Sequence, residues 1–400
     1  MDDASPTAAA TTTAAAAPTA PQGGTRRLEY LLTATCFGLL LVGPWLAGAL
    51  GVRASESTEN RPLLPAPSVE LERLLDTEQF SEIEAFLTDH LPLRQESAAI
   101  VNKGMYAATG ESPVESAFVD RSGTWTLSDD YLDPCVGEFR PDDLATTIAG
   151  WEDTSEGTTD MILLVAPDKS VIVDDQPGYR NRVADSCQVK RELQLVESFA
   201  GTGNLIDLWT PLRQRVQGGD RTTVYFTNDS HWTFDGATAL SKALVDSLAP
   251  GIYDPAAIVP VEQVTVTGDV TRRLGWEYEE SVDRLRSDRP GVTTELAIEE
   301  TGWPQGVRVH RSEGRDLIAG RTIVVHDSMM NYAEAVLAPY FEHIEFVHWN
   351  DLVDADGVGR AADADRIIFE FVQRDMSART RDPLLRPDFD DALRAALLPR

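Results

Sequence analysis

Beyond residue 160 the chain alternates short, wholly apolar runs with segments in which apolar residues recur every three or four positions. MILLVAPDK (161–169) is a continuous apolar run closed by a loop, the pattern of a strand buried on both faces. A helical pattern at 189–200 follows it, then the strand-like runs NLIDLW (204–209) and TTVYFTNDSHW (222–232). A second helix is predicted over about 234–248, and residues 250–320 carry less regular, polar β-like pieces such as VEQVTVTGDVTRRLG. RTIVVHDSMM (321–330), a helical stretch to about 341, HIEFVHW (343–349) and RIIFEFVQR (366–374) continue the alternation. Strands alternating with helices predict an α/β domain built on a doubly wound, mostly parallel sheet. No internal repeat is visible.

The upstream pattern differs. AFVDRSGTWTLS (117–128) reads as two strand pieces around a turn at 120–123, and residues 69–108 repeat apolar positions at helical spacing until Pro92 breaks the run. ASESTENRPLLPAP (54–67) is a polar, proline-punctuated linker. Residues 28–52 carry no charge after Glu29, and about 20 such residues suffice to cross a bilayer. Arg26 and Arg27 flank that run on its N-terminal side, which predicts a cytoplasmic N-terminus and a chain exported beyond residue 53. Ala47-Gly48-Ala49 has the small-residue pattern of a signal cleavage site, but the run exceeds the usual ~7–15-residue signal core. Residues 1–25, almost entirely Ala, Thr and Pro, are expected to be a disordered cytoplasmic tail. The predicted plan is thus tail 1–25, transmembrane signal-anchor 28–52, linker 54–67, helical segment 68–115 packing on the domain, α/β domain 116–375 and C-terminal extension 376–400. The location implied is the cell membrane, single-pass, with the domain extracytoplasmic.

Composition narrows the function classes. A formal net charge of −30 without a basic cluster argues against nucleic acid as a partner. Cys36 lies in the apolar run, which leaves Cys135 and Cys187 outside in an oxidising compartment, as a disulfide candidate or as two separate thiols. No CxxC or metal-type Cys/His spacing occurs, and no cofactor is indicated.

The chemistry concentrates at two predicted strand ends, where open α/β sheets bind ligands. In VVHDSMM an apolar strand ends at His326-Asp327-Ser328 and a helical pattern begins at once. A serine at such a turn exposes its hydroxyl beside backbone N–H groups that can stabilise an oxyanion. It needs a base. NDSHW supplies His231 for that role and Asp229 to orient the imidazole. Each residue has a blander reading: Ser328 or Asp229 as a helix N-cap, His231 as a half-buried ring packed on Trp232. A metal held by Asp229, His231, His326 and Asp327 is a further alternative.

These residues carry a resemblance. ENRPLLPAP (59–67), DHLPLR (89–94), FVDRSGTWTL (118–127), LVAPDKSVIV (164–173), NDSHWTFDGA (228–237) and VVHDSMM occur in the order found in the SGNH-hydrolase-like polysaccharide O-acetylation proteins of the AlgJ/AlgX type. The chain resembles that family over most of residues 58–375, with the Asp-x-His-Trp and Asp-Ser blocks as the specific elements. The resemblance implies an SGNH-hydrolase-like, flavodoxin-like sheet and a triad of Ser328, His231 and Asp229 in permuted order. It further implies an acetyl group passed through a serine ester to a polysaccharide acceptor, from a donor supplied by a multi-pass membrane acyltransferase. Asp327, His326, Trp232, Lys169 and Asn331 are the substrate or oxyanion candidates, with Asn350 a weaker one. His326 stands where the family commonly has glycine, which puts the oxyanion hole in question. Rival readings are an acetyl esterase with the same triad and an inactive glycan-binding or assembly scaffold. Net acidity disfavours a polyanionic acceptor such as alginate unless Arg272, Arg273 and Arg284 make the cleft locally basic.

Overall fold

The computed structural model describes residues 23–52, 63–68, 76–132, 140–173, 181–218, 223–302, 305–352, 355–376 and 384–398. The chain divides into two compact units, residues 1–57 with 62–95, and residues 58–61 with 96–400. The expected tail up to residue 22, most of the linker, the start of the helical segment at 69–75, and the Cys135–Cys187 pairing lie outside the described residues and side chains.

In the first unit most of the apolar run, up to Ala49, is helical within Gly23–Ala49, with Leu31, Phe37, Leu39 and Leu46 exposed along it. Among the described residues no helix is long and apolar enough to cross a membrane. A second helix, Thr77–Asp89, starts at an Asp76 cap that accepts the Glu78 N–H at 3.0 Å. At its other end the buried Asp89 accepts the Leu64 N–H at 2.8 Å, which ties residues 63–68 to the helix.

The second unit is α/β. Its strands are β1 (Ala117–Val119), β2 (Trp125–Leu127), β3 (Asp160–Ala166), β4 (Leu205–Ile206), β5 (Ile258–Thr267), β6 (Glu279–Ser287), β7 (Thr293–Gly302), β8 (Gln305–Glu313), β9 (Ile318–His326), β10 (Phe341–His348) and β11 (Arg366–Val372). A seven-stranded sheet runs β4-β3-β11-β9-β10-β8-β7. Its first five strands are mutually parallel, and β8 and β7 add an antiparallel edge. β3, β9 and β11 are the near-continuous apolar runs that a sheet covered on both faces requires, and their inner residues are buried. β5 with β6 and β1 with β2 form separate antiparallel hairpins.

Two sequence expectations change. TTVYFTNDSHW is not a strand of the sheet. It folds back on itself through a single bridge, Tyr225 to Trp232, with Phe226 N–H on His231 O (3.2 Å) and Thr233 N–H on Val224 O (3.0 Å). Its apolar residues are buried as β residues would be, but its polar tip is held by side chains from other elements and by two backbone bonds, Trp125 N–H on Thr227 O (2.9 Å) and Thr271 N–H on Asn228 O (3.3 Å). Residues 376–400, expected to be an extension, bury Leu384, Phe389, Leu393 and Leu397 in the main core.

Trp151 couples that C-terminal segment to the sheet. Its ring is fully buried 5.4 Å from Phe369 of β11 and 6.2 Å from Phe389, and its Nε1–H donates to Asp390 at 2.6 Å. Trp151→Ala removes the ring and leaves a cavity; we expect a loss of about 3–5 kcal/mol, read as a lowered urea midpoint.

Candidate active site

Three parallel strands end at the site. β3 leads into Asp168 and Lys169, β9 into Asp327 and Ser328, and β11 into Arg374. The loop 227–231 is the fourth component. The structure brings Asp229, His231 and Ser328 together: His231 Nε2 lies 2.8 Å from Ser328 Oγ, and His231 Nδ1 lies 2.6 Å from Asp229 Oδ1. A carboxylate only accepts, so Nδ1 carries the proton and Nε2 presents its lone pair to the serine hydroxyl. Asp229 Oδ1 also accepts the His231 backbone N–H at 2.9 Å, and Oδ2 accepts the Asp269 N–H at 3.0 Å.

Burial works against charge on both partners, and the pairing outweighs it. The Asp229 carboxyl, pushed up by burial, is held well below the ordinary carboxylate range by the His231 charge and by its hydrogen bonds. His231, pushed down by burial, is raised above its ordinary value by the Asp229 charge and hydrogen bond and by Asp269. An ionised aspartate orienting a basic imidazole against a serine hydroxyl is an arrangement able to generate an alkoxide nucleophile.

The serine turn is rigidly held. Asp327, not Ser328, is the N-cap of the 3₁₀ turn Ser328–Tyr332, accepting the Met329 N–H at 2.8 Å. Its other oxygen takes the Val372 N–H of β11 at 2.7 Å, and its own N–H donates to Glu370 at 3.0 Å. Trp232 is fully buried and donates Nε1–H to Met329 O at 2.9 Å, joining the histidine loop to the serine turn directly. Asp327 and Trp232 therefore build the site from beneath, a correction to their placement as substrate contacts.

Lys169 is corrected in the same way. It is fully buried, and its ammonium donates to the carbonyls of Phe226 (2.8 Å), Thr227 (3.1 Å) and Asp229 (2.8 Å). Burial brings its pKa down to about 8 against the pull of Asp229 and Asp130. His326 is buried, and burial pushes it down to about 4, so its ring is neutral with Nδ1–H on Asp327 O at 2.7 Å. Its ring stands edge-on to Phe346 and His348 of β10, which is how a bulky residue is accommodated before Asp327. Asn331 is exposed on the serine turn and accepts from Arg308 at 3.3 Å, while the Asn350 N–H reaches His348 at 3.3 Å. Arg273 and Arg284 are paired with Asp129 (3.3 Å) and Glu262 (2.6 Å). Asp229 does not cap the following helix; Thr233 does, through the Gly236 N–H.

Sequence reasoning missed four contributors. Glu280 of β6 accepts the N–H groups of Thr227 and Asn228 at 2.8 and 2.7 Å. Asp269 accepts from Ser230, and the Tyr332 ring lies 5.4 Å from His231. Arg374 is ion-paired with the buried Asp168 (2.7 Å) and Asp130 (3.3 Å). No motif spacing flags these; Asp269 and Glu280 lie in a region the pattern reads as polar, and Arg374 is the last residue of an apolar run. Among the described residues, Asp229, His231 and Asp269 are the group whose atoms lie close enough to hold a metal, and His326 and Asp327 are not in it. Their oxygens already accept protein hydrogen bonds, and Asp229 Oδ1 and His231 Nδ1 engage each other.

No family model and no curated protein matches the sequence. The chain is similar in structure to a DHHW family protein from Eubacterium siraeum (11% identity, 72% of this chain and 98% of that one, TM-score 0.48). It is likewise similar to Bacillus cereus PatB1 with a sulfonyl adduct (12%, 65% and 95%, TM-score 0.45) and to the O-acetyltransferase domain of Pseudomonas putida AlgJ (16%, 70% and 99%, TM-score 0.42). At that identity and score no residue role is taken from these neighbours; the roles rest on the geometry above.

The histidine loop depends on a close backbone approach. A Cβ on Gly268 would sit 2.3 Å from the Asn228 carbonyl oxygen, on the loop that carries Asp229. Gly268→Ala must displace that loop, so it should lower the melting temperature.

Proposed function

We propose that this chain is an O-acetyltransferase that passes an acetyl group through an ester on Ser328 to a hydroxyl of an exported or cell-surface polysaccharide. The observation that carries the reading is the continuous relay from Asp229 through His231 to Ser328, with hydrogen bonds of 2.6 and 2.8 Å. The substrate class comes from the motif resemblance, not from the relay.

In this reading Ser328 Oγ attacks the carbonyl of a donor acetyl ester while its proton moves to His231 Nε2. The tetrahedral intermediate collapses, and the departing alcohol takes that proton. A sugar hydroxyl then attacks the Ser328 acetyl ester, giving its proton to His231, and Ser328 leaves with the proton returned. Asp229 stays ionised throughout and steadies the imidazolium. Water in place of the sugar gives an esterase. We place the charge-poor run 28–52 in a membrane as the anchor, and a multi-pass acyltransferase beside it as the donor's source. Release by detergent but not by alkaline carbonate tests the anchor.

The direct test is turnover of a chromogenic acetyl ester by the full chain, with and without oligosaccharide acceptors. Ser328→Ala and His231→Ala should each lose on the order of 10⁴-fold or more in kcat, and Asp229→Ala somewhat less. Acetylated sugar among the products selects transfer over hydrolysis; full turnover in all three variants removes the triad. The pH profile is a second check. His231 must be neutral to accept a proton, and its pKa is raised above the ordinary 6.5. The acidic limb of kcat/KM should therefore lie above that value and rise with pH; a limb at or below it contradicts the assignment.

A further inference from the structure

His231 has a second acidic neighbour. Asp269 opens the short helix Asp269–Arg272, and its Oδ2 lies 4.0 Å from His231 Nδ1. That is too long for a hydrogen bond. It is close enough for charge to act across a partly buried gap. The same carboxylate grips the residue between Asp229 and His231: Ser230 donates its N–H to Oδ1 and its hydroxyl to Oδ2, both at 2.6 Å. The Asp269 backbone N–H donates to Asp229 Oδ2 at 3.0 Å, which turns Oδ1 towards the imidazole. Orientation of the ring needs only Asp229. A second carboxylate, aimed at the same nitrogen and bonded at both oxygens, does more than orientation requires.

We propose that Asp269 is a second positioning residue for the base: it locks the Asp229-Ser230-His231 loop and adds a negative charge that stabilises the imidazolium formed when Ser328 attacks. This rests on the acyl-transfer reading of Ser328, His231 and Asp229. The other groups at the ring are the Ser328 hydroxyl and the Tyr332 ring, Lys169 lies behind Asp229, and the Arg374 charge opposes that of Asp269. Asp269 favours protonation of His231 more than Arg374 opposes it, so the charges beyond Asp229 make the imidazole a stronger base.

The test separates charge from scaffolding. In the full chain, the His231 imidazole is titrated by NMR, its resonance assigned by its loss in His231→Gln, and kcat/KM for a chromogenic acetyl ester is followed against pH. Asp269→Asn should move the His231 titration and the acidic limb of kcat/KM to lower pH and reduce the plateau about 10- to 100-fold. Asp269→Glu should restore the titration, and Ser230→Ala, which keeps the charge, should lower kcat with the titration in place. Asp269→Ser replaces Asp269→Asn if thermal melts show that variant unfolded. An unmoved titration in the uncharged variant, or an equal shift in Ser230→Ala, overturns the proposal. If Ser328→Ala retains full turnover, the acyl-transfer reading fails, and the titration still decides whether Asp269 charges His231.

Discussion

Lys169 holds the histidine loop in place. Residues 226–229 lie outside the sheet, and buried backbone groups without partners are costly. One fully buried ammonium takes the carbonyls of Phe226, Thr227 and Asp229, sharing that of Thr227 with the Trp125 N–H of β2 at 2.9 Å. The loop's N–H groups at Thr227 and Asn228 are met by the opposite charge, the carboxylate of Glu280. A cation for the carbonyls, an anion for the amides and one backbone bond from β2 give the loop one conformation outside the sheet. Charge-assisted hydrogen bonds of this kind are stronger than neutral ones. The relay from Asp229 to Ser328 inherits its geometry from that clamp.

The serine side is held by different means with the same result. Asp327 spans two strands by capping its own turn and accepting an N–H from β11, so Ser328 is fixed relative to the sheet. Trp232 then binds the two halves across 97 positions of sequence, its indole on the carbonyl of Met329. Four residues that sequence offers as candidate substrate contacts, Lys169, Trp232, Asp327 and His326, are thus buried supports. Their side chains are polar because they bond to backbone at the core's edge.

Legibility followed the physics of each segment. β3, β9, β10 and β11 are apolar enough to declare themselves, and the hairpin of β1 and β2 was readable from its turn. Asp229, His231 and Ser328 stand out in the sequence at predicted strand ends, and the structure brings them within hydrogen-bonding distance. VYFT was misread because a buried loop edge has the same composition as a strand, and only hydrogen-bond partners distinguish them. Asp269, Glu280 and Arg374 were invisible for another reason. Each acts from an element far away in sequence, and a single charged residue in a polar stretch or at the end of an apolar run carries no pattern.

The charge distribution joins these observations. The chain carries a formal net charge of −30, yet the ground beneath the site holds two cations, the buried Lys169 and the partly buried Arg374. Arg374 sits between Asp168 and Asp130, both fully buried, and burial pushes the Asp130 carboxyl up to about 6 despite the arginine. Burying an arginine is tolerable only with such partners. Its positive charge opposes protonation of His231, while Asp229 and Asp269 favour it. The basicity of the imidazole is therefore a balance struck between burial and the Arg374 cation, which lower it, and two carboxylates, which raise it. Holding that balance requires all three to be immobile. That explains why the loop, the serine turn and the end of β11 are tied to one another by bonds that no substrate needs to touch.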